Sequence, residues 1–186
     1  MTDAAGMKTT TALTIAGSDP SGGAGIQADL KTFHQHGVYG MSAVTLLTVQ
    51  NTVGVSDVVL MDPKLVVRQI EAVVSDIPPG AAKTGALGGA AIIEAVAEAA
   101  GRFDFPLVVD PVMVSKHGHA LLDEDAVSVM RDRLLPKAFL VTPNVHEAAR
   151  LTGLAVDCVE AMEQAAHVLH ERGTTHVVIK GGALPG

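Results

Sequence analysis

The sequence predicts one α/β domain: a doubly wound, mostly parallel sheet with helices on both faces. Three observations predict it. Short apolar runs alternate with amphipathic stretches from one end of the 186-residue chain to the other. Most of those runs are continuously apolar rather than alternating, as expected of strands buried on both faces. The stretches between them carry helix punctuation, so successive strands must be joined by right-handed crossovers.

Taken in order, a tail at residues 1–11 is expected to be flexible and the domain to occupy 12–186. The strands are "ALTIAG" (12–17), "SAVTLLTV" (42–49), "GAAKTG" (80–85), "PLVVDP" (106–111), "AFLVT" (138–142) and "HVVIKG" (176–181). The first helix, "GIQADLKTFHQHG", places Ile26, Leu30 and Phe33 on one stripe and stops at Gly37. "DPKLVVRQIEAVV" starts with Asp62 as N-cap and Pro63 in the first helical position. "LDEDAVSVMRDRLLP" opens on acids that suit a helix N-terminus and ends at Pro136. "NVHEAARLTG" and "CVEAMEQAAHVLHERG" end at Gly153 and Gly173. A parallel strand such as 176–181 normally leads into another crossover, so the chain reads as truncated, split or partly determined.

Composition narrows the function. Hydrophobic residues make up 48% and charged ones 18%, which describes a soluble globular protein. With no Trp, one Tyr and four Phe, the core must be aliphatic. A net charge of −7 with scattered Lys and Arg argues against nucleic acid and against an anionic membrane surface. The lone Cys158 excludes a disulfide framework and fits a reducing compartment. Neither a signal peptide nor a membrane-length apolar run is visible, so a cytoplasmic protein is expected.

In open parallel sheets, ligands bind beyond the carboxyl ends of the strands. Those ends deliver Gly17-Ser18-Asp19, Gln50-Asn51, Lys83-Thr84-Gly85, Asp110-Pro111, Thr142-Pro143-Asn144 and Lys180-Gly181-Gly182. The glycine-rich loop after the first strand lacks the Lys-Ser or Lys-Thr of a Walker A motif. "GAGIQA" fits a dinucleotide pattern, but "SDPSG" separates it from the strand, and the second strand ends in Gln50-Asn51 instead of a ribose-binding acid. What remains is a loop whose backbone can approach a ligand closely, followed by Asp29 early in a helix. Asp29 is either a ligand group or an acid favouring a helix N-terminus. Lys83 is open to contact with phosphate or to pairing with Asp110, and Asp19-Pro20 to a turn or a ligand role. His167 and His170 are read as an ordinary solvated helix face, and His117 and His119 as members of a mobile loop.

"TIAGSDPSGGAGIQADLKTF", "TVQNT", "KTGAL", "DPVMVSKHG", "TPNVHEA" and "VVIKGG" occur here in order between Ala12 and Gly182. In these motifs the chain resembles the hydroxymethylpyrimidine and phosphomethylpyrimidine kinases of thiamine synthesis, members of the ribokinase-like superfamily. The resemblance implies ATP-dependent phosphorylation of 4-amino-5-hydroxymethyl-2-methylpyrimidine and then of its monophosphate, with ATP and Mg2+ as cofactors and a homodimer in the full-length form. It implies a pyrimidine pocket built from Asp29, Gln50, the Gly17 to Ala24 backbone, Val112 and Met113. It places Glu147 and Asp110 near magnesium, Asp110 toward the transferring phosphoryl as a possible catalytic group, and Asn144, Lys180, Gly181 and Gly182 on the nucleotide side. It also implies an anion hole and a cysteine base from a segment beyond Gly186, for which Cys158 is no substitute. The chain alone is therefore expected to be inactive and poorly stable as a monomer. Two alternatives stand beside this reading: a pyridoxal or pyridoxine kinase, and a non-catalytic module that binds the pyrimidine.

Overall fold

The computed structural model describes residues 9–113 and 122–184, so the predicted tail lies largely, and His117 and His119 wholly, outside the described residues. Strands β1 (Thr11–Ser18), β2 (Tyr39–Gln50), β3 (Val55–Leu60), β4 (Ala81–Thr84), β5 (Leu107–Val109), β6 (Leu140–Val141) and β7 (His176–Val177) form one sheet in the order β3-β2-β1-β4-β5-β6-β7. All neighbours pair in parallel except β2 and β3, an antiparallel pair at one edge. The helices are α1 (Gly25–Gln35), α2 (Pro63–Asp76), α3 (Ala90–Ala100), α4 (Glu124–Val129), α5 (Val145–Thr152) and α6 (Val159–Glu171).

Successive strand residues point to opposite faces. Leu13 and Ile15 of β1 therefore enter a cluster with Val66 and Ile70 of α2 and Ile92, Ile93 and Val96 of α3. Between them, Thr14 points the other way and bonds Asp29 on α1. The sheet is thus covered on both faces, as its apolar strands require. The largest fully buried side chains are Leu, Ile and Met, the aliphatic core that the scarcity of aromatics demands. Phe103 and Phe105 stack with their ring centroids 4.6 Å apart and only pack against its margin.

The caps follow the chemistry of the sequence. Asp62 accepts from the Lys64 and Leu65 amides at the start of α2, with Pro63 behind it. Asp123 accepts from the Ala126 amide at the start of α4. α4 is shorter than the predicted 122–136 helix: after Val129 the chain widens into a π turn at Met130–Leu134 and tightens at Leu135–Lys137, where Pro136 ends it.

Two elements carry no clear sequence signal. β3 is an edge strand with no fully buried residue, so its apolar residues show no period. α3 is the reverse case, buried over most of its surface and capped only by Gly89. It shows neither an amphipathic stripe nor a polar N-cap. The sixth and seventh strands are also shorter than predicted, because only two residues of each pair in the ladder.

Truncating Ile93, which is fully buried where α3 meets the sheet, tests this packing. Ile93→Ala is expected to cost about 2–5 kcal/mol. Urea unfolding should show a lower midpoint at an unchanged slope.

Candidate active site

A cavity of about 380 Å³ opens at the carboxyl edge of the sheet, between the β1–α1 loop, the β2–β3 hairpin and the ends of β4 and β5. Gly17, Ala24, Asp29, Gln50, Lys83, Asp110 and Val112 are among its lining residues. Residues separated by up to 96 positions in the sequence, Ala16 and Val112, thus meet in one place.

Its glycine-rich wall is folded around one carboxylate. Asp19 is 3% exposed, and its Oδ1 accepts from the Ser21 amide at 2.8 Å and the Ser21 hydroxyl at 2.7 Å. Its Oδ2 accepts from the amides of Ala24 at 2.8 Å and Gly23 at 3.2 Å. Burial alone would raise the Asp19 carboxyl, but the bonds from Ser21, Ala24 and Gly23 outweigh it and hold the group below its usual range. Gln27 completes the loop, accepting from the Asp19 amide and donating to the Ser18 hydroxyl. Of the two roles open to Asp19, the carboxylate is committed to the turn. Gly25 closes the loop at φ +58°, where a side chain would collide with the Gly17 carbonyl oxygen.

Beneath this loop, α1, β1 and β4 are tied through Asp29. Thr14, fully buried, donates to Asp29 Oδ2 at 2.6 Å. Lys83 Nζ lies 2.9 Å from Oδ2 and 3.0 Å from Oδ1. Lys83 thus pairs with Asp29 rather than Asp110, because strand alternation turns it toward α1. Asp29 sits one turn into α1, whose first turn holds no acid, so a bond to the helix terminus does not account for it. The only hint of Thr14 in the sequence is a hydroxyl in an otherwise aliphatic strand.

The other predicted group assembles beside β5 and β6. Asn144 and Glu147 form a capping box at α5: the Glu147 amide donates to Asn144 Oδ1 at 2.9 Å, and the Asn144 amide donates to Glu147 Oε2 at 2.8 Å. Asn144 bridges in parallel to Lys180, whose ammonium lies 3.1 Å from Asp110 Oδ1. Burial pushes the Glu147 carboxyl up, as does the nearby Asp110 charge, against the lowering effects of the Asn144 and Met113 amides and of Lys180. Glu147 therefore favours the fold less as pH rises through its folded value, the opposite of Asp19. Met113 is placed in the core, with no exposed surface and no part in the cavity lining. Gly181 packs against Met162 and Gly182 is exposed, and neither lines the cavity.

Elsewhere, His167 and His170 lie on the exposed face of α6. His170 Nδ1 lies 3.0 Å from the Thr174 carbonyl oxygen, and Cys158 is an exposed N-cap of α6 whose side chain makes no capping bond. Among the described residues, no cluster of three or more His, Cys, Asp or Glu is arranged to hold a metal ion, and no helix is long and apolar enough to cross a membrane.

Residues 19–186 match the family described as phosphomethylpyrimidine kinase. The chain belongs to that family. It is 49% identical over 175 residues to the hydroxymethylpyrimidine/phosphomethylpyrimidine kinase of Synechococcus elongatus, a match covering 94% of this chain and 66% of the relative. The Bacillus subtilis enzyme of the same name is 46% identical, with 94% and 65% covered. The chain thus spans about two thirds of the length of these curated relatives. The crystal structure of phosphomethylpyrimidine kinase from Clostridium difficile superposes with a TM-score of 0.90 at 45% identity, covering 96% of this chain and 78% of that one. Pyridoxal kinase from Staphylococcus aureus, in complex with pyridoxal, superposes with a TM-score of 0.85 at 41% identity, covering 95% and 64%. The fold is ribokinase-like, as the family's motifs implied.

Asp19→Asn sets two amide donors against the loop amides, leaving buried N–H groups unpaired. Urea unfolding at pH 7 should show a loss of about 1–3 kcal/mol. Because the folded Asp19 value lies below the unfolded one, the wild-type advantage is present above about pH 4 and fades as pH falls through the folded value. An undiminished gap at the lowest pH where the wild type still folds would exclude the carboxylate as its source.

Proposed function

We propose that this protein transfers the γ-phosphoryl group of ATP to 4-amino-5-hydroxymethyl-2-methylpyrimidine and then to the resulting monophosphate. The observation that carries this reading is the convergence of Asp29, Gln50 and the Asp19-folded loop on one cavity, at the strand ends where such sheets bind ligands. Its volume suits a single small ring. A carboxylate and a carboxamide complement an aminopyrimidine edge, because the first accepts and the second both donates and accepts.

Asp110 links this pocket to the nucleotide side. It lines the cavity and also holds Lys180, which bridges to the Asn144–Glu147 cap. Two carboxylates close enough for one to raise the other's pKa offer hard oxygen donors that suit magnesium. In this reading Asp110 and Glu147 would hold the magnesium, and Asn144, Lys180, Gly181 and Gly182 face the nucleotide. Bound magnesium neutralises charge on the phosphates. Lys180 adds a cation, and Asp110 sits between acceptor and donor, placed to orient the reacting hydroxyl. Gly17, Ala24 and Val112 pack against the ring, and Met113 supports that wall from the core.

The acidic charge and single cysteine support a cytoplasmic protein that acts on small molecules rather than nucleic acid or membranes. The exposed Leu47, Val49, Val59 and Leu60 of the β2–β3 hairpin support a homodimer. A pyridoxal kinase is the second reading, favoured by the superposition on the Staphylococcus aureus enzyme.

Calorimetric titration separates the two rings: tighter binding of the aminopyrimidine than of pyridoxal supports the first reading, and the reverse order overturns it. Gln50→Leu should weaken aminopyrimidine binding by about 1–3 kcal/mol, through loss of buried polar partners. Unchanged affinity in that variant would move the binding face elsewhere. Glu147→Gln should weaken magnesium-dependent ATP binding while leaving pyrimidine affinity nearly intact, and equal loss of both would refute the division between the two ends of the site.

A further inference from the structure

We infer that Lys83 is a ligand-binding residue of the cavity, held in place by Asp29 so that its ammonium donates to a ring nitrogen of the ligand, a role that rests on the aminopyrimidine reading above. The chemistry of the ring demands such a donor. The ring nitrogens of a neutral aminopyrimidine carry lone pairs and can only accept, and a carboxylate can only accept as well. Asp29 can therefore serve the exocyclic amine but not a ring nitrogen.

Several hydroxyls near the pocket are already committed. Ser21 donates to Asp19 at 2.7 Å, and Thr48 donates to the Ser18 carbonyl oxygen at 2.9 Å. Gln50 supplies one amide. Lys83 supplies the remaining charged donor on the α1 side. An ammonium has three N–H groups, and among the described residues Lys83 bonds Asp29 alone, through two contacts. At least one N–H is left over. The side chain lines the cavity and is 25% exposed, neither sealed in the core nor free in solvent.

Two neighbours fix and uncover this ammonium. Thr14 binds Asp29 from below, so the carboxylate that holds Lys83 is itself held on a central strand. Gly85 lies beside it: a Cβ there would come within 3.3 Å of Lys83 Nζ and 2.9 Å of the Ala16 Cβ. A bare backbone at Gly85 leaves the ammonium accessible from the cavity.

The test pairs variants with ligand analogues. Titration calorimetry would compare the aminopyrimidine with its two pyridine analogues, in each of which one ring nitrogen is replaced by C–H. Wild type should bind one of the analogues more weakly by on the order of ten- to a hundredfold, the loss expected for a charge-assisted hydrogen bond. In Lys83→Met the aminopyrimidine should fall to the level of that analogue, and the analogue itself should lose nothing further. Equal weakening of all three ligands, or undiminished affinity for the pyrimidine, would overturn the inference. If Lys83→Met alone melts early because Asp29 loses its partner, the paired variant Lys83→Met with Asp29→Asn, measured against Asp29→Asn alone so that the loss at the exocyclic amine cancels, carries the same comparison without a stranded charge. Failure of the wild type to bind the aminopyrimidine at all would instead overturn the functional reading on which this role depends.

Discussion

One carboxylate, Asp19, determines the shape of the site. It has almost no solvent to ionise into, yet four donors from three residues converge on it and hold it charged. A loop of small residues has little packing of its own to fix it, and backbone freedom is costly to remove. The Asp19 network offsets that cost locally. It sets where α1 begins, and hence where Asp29 meets Thr14 and Lys83. The pocket wall is thus a consequence of one short turn rather than of the core beneath it.

The core supplies the platform on which that turn rests. Leu13, Ile15 and Val109 are fully buried, so β1 and β5 cannot shift along the sheet without exposing apolar surface. Their polar ends arrive at one edge as a result. The site divides into two lysine–carboxylate pairs, Lys83 with Asp29 and Lys180 with Asp110. Each pair joins elements that are remote in the sequence, and Asp110 belongs to both the pocket and its neighbour.

Much of this was legible from the residues alone. Apolar runs, most of them continuous, located every parallel strand, because burial on both faces leaves a plain trace. The polar residues at their ends then gave the candidate site. The Asn144–Glu147 spacing also encodes a capping box, a local role beside the nucleotide and magnesium roles that the resemblance implies. The losses have physical causes. α3 is too evenly buried to show a stripe, and β3 is too exposed to show a period. The partner of Lys83 depends on which face a strand residue takes, and a short strand such as β4 leaves that undetermined until its register with β1 is known. Met113 follows Val112 in sequence but is turned into the core, a difference of a single residue that composition cannot report.

The capping box has an outcome for anyone reading mutants at this site. The carboxylate proposed to face magnesium is also the staple of α5: Glu147 Oε2 is occupied by the Asn144 amide. A cation that drew this oxygen away would orphan the amide and loosen the first turn of the helix, so metal affinity at Glu147 would be thermodynamically linked to helix integrity. Metal held through an intervening water, or through the other oxygen, avoids that conflict. Side chains that keep the cap but lose the charge would then isolate electrostatics, while those that lose both would mix two effects in one measured number.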